Sequence, residues 1–189
     1  MALKSPLNEI HKKLGAKFTD FAGFEMPLQF SGINDEHLTV RKSVGIFDVS
    51  HMGNVWITGE DAEKLITLTT MEDASKIGVG RSQYTAILRE DGTIIDDTIF
   101  MHVDGRFMLI PNAGQSETVT EWLNTQAEKH DLCAKAENVS RKYVILAVQG
   151  PKSRELLQKL TEEDLSKIGF FGCKKIDFLG YPVIISFTG

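Results

Sequence analysis

Cysteine, clustered histidine and long apolar runs are all scarce in this sequence of 189 residues. The two cysteines, Cys133 and Cys173, form no CxxC pair, which excludes a disulfide framework and a cysteine-rich zinc site. The five histidines show no HxH or HxxxH spacing, so we expect no metal to be bound. No apolar run approaches the roughly 18 residues that a membrane-spanning helix needs, so we expect no membrane partner.

Positive charge is also in short supply. Lysine and arginine number 21 against 26 aspartates and glutamates, and the net charge of −5 argues against a nucleic-acid partner. Apolar residues make up 42% and charged residues 25%, which is typical of a folded globular protein and excludes a disordered chain. The polar stretch 1–9 lacks the apolar segment of a signal peptide, so we expect a cytoplasmic location.

Apolar spacing and capping residues predict five helices. They cover Pro6–Leu14, Asn34–Val44, Asp61–Thr70 and Ser116–Lys129, and the last begins at Gly150-Pro151. Asp91-Gly92 and Asp104-Gly105 each separate two apolar strands, so residues 82–111 are predicted to form a three-stranded antiparallel meander. Further strands are predicted over 54–58, 143–148, 174–179 and 183–187. This order predicts an α+β fold in which antiparallel sheets have flanking helices.

Two adjacent acids, Asp96 and Asp97, interrupt an apolar strand, although strand interiors disfavour aspartate. Strand alternation gives Asp97 apolar neighbours on its face and Asp96 polar ones. Those of Asp97 are Ile95, Ile99 and Met101, and those of Asp96 are Thr98 and His102. We therefore expect Asp97 on the drier face, where its carboxylate either finds hydrogen-bond donors or has a raised pKa. The alternative is a pair of strand-end acids, one of which binds backbone amides.

Two stretches without a clear period remain. Residues 20–30 mix aromatic, acidic, glycine and proline residues, which is typical of a packed loop that lines a cavity or of a plain surface loop. Asp48, Ser50 and His51 have the residue types of a hydrolytic triad. Three members within four residues do not reach the triad geometry, and no GxSxG motif surrounds Ser50. We interpret His51 as a structural histidine.

Four stretches in a fixed order carry a family resemblance. They are Asp20-Phe-Ala-Gly-Phe-Glu-Met-Pro27, Val40-Arg-Lys-Ser-Val-Gly-Ile-Phe-Asp-Val-Ser-His-Met-Gly53, Asp91-Gly-Thr-Ile-Ile-Asp-Asp97 and Leu146-Ala-Val-Gln-Gly-Pro151. Together they extend over essentially the whole chain, and the sequence resembles the glycine-cleavage aminomethyltransferases, the T-protein family. The resemblance implies a T-protein-like folate-binding fold.

The resemblance also implies a reaction and its partners. An aminomethyl group carried on the lipoyl arm of the H-protein would lose ammonia and pass its one-carbon unit to tetrahydrofolate, the co-substrate, without a metal. By resemblance Asp97 is the catalytic acid beside the attacking folate nitrogen, and Tyr84 and Asn112 contact the pterin or its neighbourhood. Met52 is an apolar contact. Each of these contacts has a structural alternative: packing in the meander for Tyr84, a hairpin-end role for Asn112 and plain core packing for Met52.

The end of the sequence departs from the family pattern. Relatives continue past the last stretch into Tyr-Thr-Gly-Glu, which supplies further folate-binding groups, whereas this sequence ends at Ser186-Phe-Thr-Gly189. We expect residues 1–52 and 141–189 to form a discontinuous, truncated first domain and residues 53–140 a ferredoxin-like α+β domain. The 189-residue chain alone is expected to bind folate weakly or not at all, because part of the folate-contacting set is missing, and H-protein-dependent turnover is expected of the full-length form. The alternative function is a truncated, non-catalytic folate-binding or interaction module.

Overall fold

The structure is a computed structural model that describes residues 2–188 of the chain. Within these residues it contains five α-helices and twelve β-strands. The helices are α1 (Asn8–Lys13), α2 (Ile33–Lys42), α3 (Ala62–Thr69), α4 (Ser116–Lys129) and α5 (Ser153–Gln158). The strands are β1 (Leu3–Lys4), β2 (Lys17–Phe21), β3 (Phe24–Gln29), β4 (Gly45–Asp48), β5 (Val55–Thr58), β6 (Arg81–Leu88), β7 (Ile94–Val103), β8 (Arg106–Ile110), β9 (Lys135–Asn138), β10 (Leu146–Gln149), β11 (Gly172–Phe178) and β12 (Tyr181–Phe187).

The strands form three sheets. The largest has seven antiparallel strands in the order β12-β11-β6-β7-β8-β5-β9. A three-stranded sheet has the order β1-β3-β2, in which β1 and β3 are parallel, and β10 pairs with β4 antiparallel. The predicted α+β class, with antiparallel sheets and flanking helices, is therefore confirmed.

The predicted meander is formed by β6, β7 and β8. Its second turn has positive φ at both Asp104 (51°) and Gly105 (71°), as a tight hairpin turn of the primed type requires. The first turn is longer: the N–H of Arg89 donates to the carbonyl of Thr93, and only Gly92 in the Asp-Gly pair has positive φ. Both Asp-Gly pairs thus turn the chain, and they do so with different loop geometries.

The main core lies between the seven-stranded sheet and helices α3 and α4. Leu65 and Ile66 of α3 are fully buried in this core. Val119 and Leu123 of α4 are also fully buried, and they join the same cluster as Phe100 of β7. Burying such side chains contributes about 1.5–3 kcal/mol each, and this fixes the two helices against one face of the sheet. Among residues 2–188, no helix is long and apolar enough to cross a membrane.

The expected burial of the two adjacent acids is wrong. Asp96 is the buried one, at 8% exposure, and Asp97 faces solvent. The face that holds Asp96 also holds Phe100, a fully buried residue of the main core, so helices cover that face. Thr98 and His102 are polar members of that face, whereas Phe100 is the apolar member that packs into the core. The register of β6 against β7 also shifts at Ile95, directly before Asp96.

Other strands lie where no strand was predicted. Within the stretch 20–30, expected to be an irregular loop, the chain forms β3 and the end of β2, which pair as a hairpin. The turn between them has positive φ at Ala22 and Gly23. Sheet pairing there depends on the partner strand, because the sequence of this stretch does not alternate between apolar and polar residues.

The chain divides into two compact units. The first ends at His51 and resumes over Arg141–Leu165, and the second comprises Met52–Ser140 and the residues from Ser166 onward. Residues 172–187 belong with the second unit because β11 pairs with β6 and so extends the seven-stranded sheet. The expected grouping of 141–189 with the N-terminal residues stays a prediction about domains.

Candidate functional site

Tyr84 and Asp97 face each other across two neighbouring strands of the meander. Tyr84 of β6 pairs with Ile99 of β7, and Asp97 pairs with Ala86, so the two polar residues are diagonal neighbours. This is close enough for a long side chain to reach across. The Oη of Tyr84 donates a hydrogen bond of 2.7 Å to the Oδ2 of Asp97. The strand register alone therefore brings two of the predicted site residues together.

Asn112 completes the cluster from the loop that follows β8. Its Nδ2 lies 3.0 Å from the Oδ1 of Asp97 and 3.0 Å from the backbone carbonyl of the same residue. The carboxylate of Asp97 thus accepts one side-chain hydrogen bond on each oxygen, from Asn112 and from Tyr84. We refer to Tyr84, Asp97 and Asn112 as the Asp97 cluster.

The Asp97 cluster is open to solvent and negatively charged. Tyr84 is 53% exposed, and its hydroxyl is held by an anionic acceptor. The hydrogen bond to Asp97, together with the negative charge of Asp97, raises the pKa of Tyr84 above its ordinary value. The phenol therefore stays a proton donor at neutral pH. Each carboxylate oxygen of Asp97 retains a second lone pair, so an incoming N–H group can still be bound.

Asp96 supports the cluster from the buried side of the strand. Its Oδ2 accepts a hydrogen bond of 2.8 Å from the backbone N–H of Asn112, and its Oδ1 one of 2.9 Å from the Asn112 Nδ2. The alternative expectation, an acid bonded to a backbone amide, thus applies to Asp96. The sequence around the two acids does not show that Asp96 is the one that binds the loop after β8. Its partner, Asn112, lies 16 residues away.

Met52 is distant from the Asp97 cluster in the sequence, and no hydrogen bond or ring contact joins it to the cluster within residues 2–188. It is half-buried and precedes Gly53, whose N–H donates to the carbonyl of Pro111 at 2.8 Å. Pro111 is the residue before Asn112. The structure therefore places Met52 beside the loop that carries Asn112, and its role as an apolar contact stays a prediction.

The residues of the excluded triad lie in the first unit. The carboxylate of Asp48 accepts hydrogen bonds from the Nε2 of His11 (2.8 Å), the backbone N–H of Ser50 (2.9 Å) and the hydroxyl of Ser5. Burial acts to raise the pKa of Asp48, but these hydrogen bonds outweigh it and lower the pKa. This arrangement ties α1 to β4 and the turn after it, and it is structural.

His51 packs among aromatic side chains. Its ring meets Phe21 edge-on at 5.1 Å between centroids and lies 6.4 Å from Phe24. Burial lowers the pKa of His51, which keeps the ring neutral. No hydrogen bond between Ser50 and His51 occurs in the part of the chain that the structure describes, which agrees with the interpretation of His51 as a structural histidine.

Residues 2–188 contain no group of three or more His, Cys, Asp or Glu side chains arranged to hold a metal ion. The candidate site consists of the hydrogen-bonded carboxylate of Asp97. Such a carboxylate can orient a ligand by accepting hydrogen bonds from the N–H groups of the ligand. It can also stabilise positive charge that develops on a neighbouring atom.

Comparisons with known proteins point to one family. Residues 7–189 match the family model described as "GCVT N-terminal domain". The chain is 41% identical over 187 residues to an aminomethyltransferase of Porphyromonas gingivalis, covering 98% of this chain and 51% of that protein. It is 42% identical over 186 residues to an aminomethyltransferase of Thermosipho melanesiensis, again covering 98% and 51%. The chain thus spans about half the length of the curated relatives it matches.

Solved structures agree with these matches. The glycine cleavage system aminomethyltransferase T of Bartonella henselae superposes with a TM-score of 0.86 at 31% identity, covering 94% of this chain and 48% of that one. A heterotetrameric sarcosine oxidase from Corynebacterium sp. U-96 superposes with a TM-score of 0.60 at 13% identity, covering 98% and 81%. The second likeness concerns the fold alone.

Proposed function

Because the chain belongs to the GCVT N-terminal domain family, we propose that it carries the catalytic carboxylate of a tetrahydrofolate-dependent aminomethyltransferase of the glycine cleavage system. The relatives named as aminomethyltransferases support the transferase class. The lipoylated H-protein is the proposed partner, and tetrahydrofolate is the proposed co-substrate. The cytoplasmic location and the absence of nucleic-acid and membrane partners stay predictions.

In the proposed reaction the one-carbon unit changes carriers. The carbon of the aminomethyl group forms two bonds to folate nitrogens, and its bonds to the lipoyl sulfur and to the amine nitrogen break. The two hydrogens lost from the folate nitrogens leave on ammonia and on the lipoyl thiol, so atoms and charge balance. Positive charge develops at the carbon and at the attacking nitrogen during this exchange.

Asp97 is the group proposed to meet that charge. Its exposed carboxylate would accept a hydrogen bond from the attacking folate nitrogen and stabilise positive charge as the new bond forms. The single observation that carries the proposal is the pair of hydrogen bonds that hold this carboxylate, 2.7 Å from Tyr84 and 3.0 Å from Asn112. A carboxylate held in place before the ligand arrives needs little reorganisation during the reaction.

The test is the isosteric substitution Asp97→Asn in the natural polypeptide that contains this sequence. Turnover is measured as ammonia released from aminomethyl-loaded H-protein in the presence of tetrahydrofolate. We expect kcat to fall by about 10²-fold or more, which is the usual cost of removing one preorganised electrostatic contact. Asp104→Asn is the matched control: it removes an exposed aspartate from the turn between β7 and β8, outside the cluster, and is expected to keep kcat unchanged. Wild-type turnover in Asp97→Asn would refute the proposal.

A second candidate is a non-catalytic folate-binding or interaction module. It is favoured by the lone pairs that the exposed Asp97 carboxylate keeps for a ligand N–H group, because these suffice for binding without group transfer. Calorimetry with tetrahydrofolate separates the two candidates. Binding that is weakened by Asp97→Asn, in a protein that shows no H-protein-dependent turnover, supports the module.

A further inference from the structure

Asp96 is a buried carboxylate that the proposed reaction leaves without a role. It lies on the core face of β7 with 8% exposure, and the next two residues on that face are Thr98 and Phe100. Burying a carboxylate is costly unless hydrogen-bond donors replace the lost water. Among residues 2–188, the donors within hydrogen-bond distance of its two oxygens belong to a single residue, Asn112.

Asn112 is held at two points by this contact. Its backbone N–H lies 2.8 Å from the Oδ2 of Asp96, and its side-chain Nδ2 lies 2.9 Å from the Oδ1. One bond restrains the backbone of the loop after β8, and the other restrains the side-chain torsions of Asn112. Loops are otherwise the mobile parts of a fold. The buried acid therefore gives a loop residue the rigidity of the neighbouring strand.

The same contact determines which way the Asn112 amide points. Its Nδ2 lies within 3.0 Å of three acceptors: the Oδ1 of Asp96, the Oδ1 of Asp97 and the backbone carbonyl oxygen of Asp97. A flipped amide would set its carbonyl oxygen against two carboxylates, which is electrostatically unfavourable. The Asn112 amide thus directs its NH₂ group toward both acids, and its carbonyl oxygen points away from them.

We propose that Asp96 is a positioning residue that sets the geometry of Asp97 through Asn112. Asp96 touches no reacting atom. It fixes the Asn112 amide, which in turn donates to the Oδ1 of Asp97. A register shift at Ile95 accompanies this arrangement, and such bulges often re-aim side chains beside active sites. The proposal rests on the function proposed for Asp97, and it assigns to the first acid of the pair a task distinct from that of the second.

The test compares two substitutions at Asp96 in the natural polypeptide that contains this sequence. Asp96→Ala removes both acceptors, whereas Asp96→Asn removes the same charge but keeps one acceptor oxygen. If Asp96 acts by position, Asp96→Ala should lower kcat by about 10- to 100-fold, the usual cost of losing a residue that orients a site, and Asp96→Asn by less. The KM for tetrahydrofolate should change by less than about threefold, because Asp97 and Tyr84 still meet the ligand.

A second readout does not depend on activity. Hydrogen exchange of the Asn112 backbone amide, followed by NMR, should be at least about tenfold faster in Asp96→Ala than in wild type, because that amide has lost its acceptor. Asp104→Asn is the control for both measurements, since it removes an aspartate charge from the turn between β7 and β8, and it should leave kcat and Asn112 exchange unchanged.

The outcomes separate this proposal from the proposed function. Equal losses of kcat in both Asp96 variants would assign the effect to charge and overturn the proposal, as would kcat within twofold of wild type in both. If Asp96→Ala does not fold, Asp96→Asn decides: a loss of kcat at unchanged KM together with faster exchange of the Asn112 amide supports the proposal. A loss of kcat with wild-type exchange assigns the effect to charge and overturns the proposal, as does wild-type kcat. If the wild type shows no turnover, the proposed function fails. Exchange at Asn112 then decides alone, and unchanged exchange in Asp96→Ala overturns the positioning role.

Discussion

At the scale of single residues, the site depends on how one strand separates two adjacent carboxylates. Successive side chains of β7 point to opposite faces, so Asp96 enters the core and Asp97 faces solvent. The buried acid binds the backbone and side chain of Asn112, while the exposed one binds Tyr84 and the Asn112 amide. Two identical side chains thereby acquire different tasks from their positions alone.

The titration of Tyr84 reports on this arrangement. Its pKa is raised because the hydrogen bond to Asp97 and the negative charge of Asp97 both favour the protonated phenol. We expect Asp97→Asn to lower the pKa of Tyr84 toward the ordinary tyrosine value, so that the phenol ionises at a lower pH than in wild type. Ultraviolet absorbance of tyrosinate, measured against pH, gives the result.

The chain has three tyrosines, so the absorbance change of Tyr84 must be separated from that of the other two. The curve of Tyr84→Phe identifies the contribution of Tyr84, and Asp104→Asn controls for the loss of a distant negative charge. An identical Tyr84 titration in wild type and Asp97→Asn would contradict the hydrogen bond between the two side chains.

At the scale of elements, the site depends on a close approach between the start of β5 and the loop after β8. A Cβ atom built on Gly53 would lie 2.2 Å from the Oγ of Ser116 and 2.7 Å from the Cγ of Pro111. The N–H of Gly53 also donates to the Pro111 carbonyl at 2.8 Å. Only glycine fits this space without a shift, and the shift would fall on Ser116 or on Pro111, the residue that precedes Asn112.

Gly53→Ala tests this packing. Displacing Pro111 or Ser116 should lower the free energy of unfolding by about 1–3 kcal/mol, the usual cost of overpacking. Thermal unfolding followed by circular dichroism measures the change. Gly78→Ala is the matched control: nothing lies within 4 Å of a Cβ built there, so its effect should stay within about 0.5 kcal/mol. Equal stability of the two variants would contradict the close approach.

At the scale of the whole molecule, buried and exposed carboxylates respond differently to acid. Several exposed acids, among them Glu9 and Asp91, have lowered pKa values because of exposed hydrogen bonds and ion pairs, which solvent screens. Asp48 differs, since its side chain is fully buried and three groups donate to it. We therefore expect Asp48 to contribute most to the acid sensitivity of the fold.

Asp48→Asn tests that expectation. The folded-state pKa of Asp48 is below the value of about 3.9 for an unfolded aspartate, so the folded state binds fewer protons in acid. Its stabilisation is complete above that unfolded value and is lost as the pH falls through the folded pKa. Urea unfolding should show lower stability for Asp48→Asn at pH 7 and a flatter decline below about pH 4.

Glu9→Gln is the control for acid sensitivity, because the Glu9 carboxylate is exposed in an ion pair with Lys12. It should follow the wild-type curve at every pH. A decline as steep in Asp48→Asn as in wild type would show that the acid sensitivity arises elsewhere.

Patterns within the sequence predicted several of the helices and strands and named the candidate site residues. Apolar spacing placed the α3 and α4 helices, and the Asp-Gly pairs placed the meander, because both depend on contacts between residues near in the chain. The family resemblance selected Tyr84, Asp97 and Asn112, which the structure joins by hydrogen bonds.

Which acid is buried, and what holds the Asp97 cluster together, depends on contacts between residues far apart in the sequence. Burial on β7 depends on which face of the sheet the helices cover, and that is a long-range choice that alternation along one strand does not contain. The hairpin of β2 and β3 likewise forms through pairing between strands rather than from a local pattern. The contact between Asp96 and Asn112 spans 16 positions, so it exists only because β7 and β8 fold back beside each other.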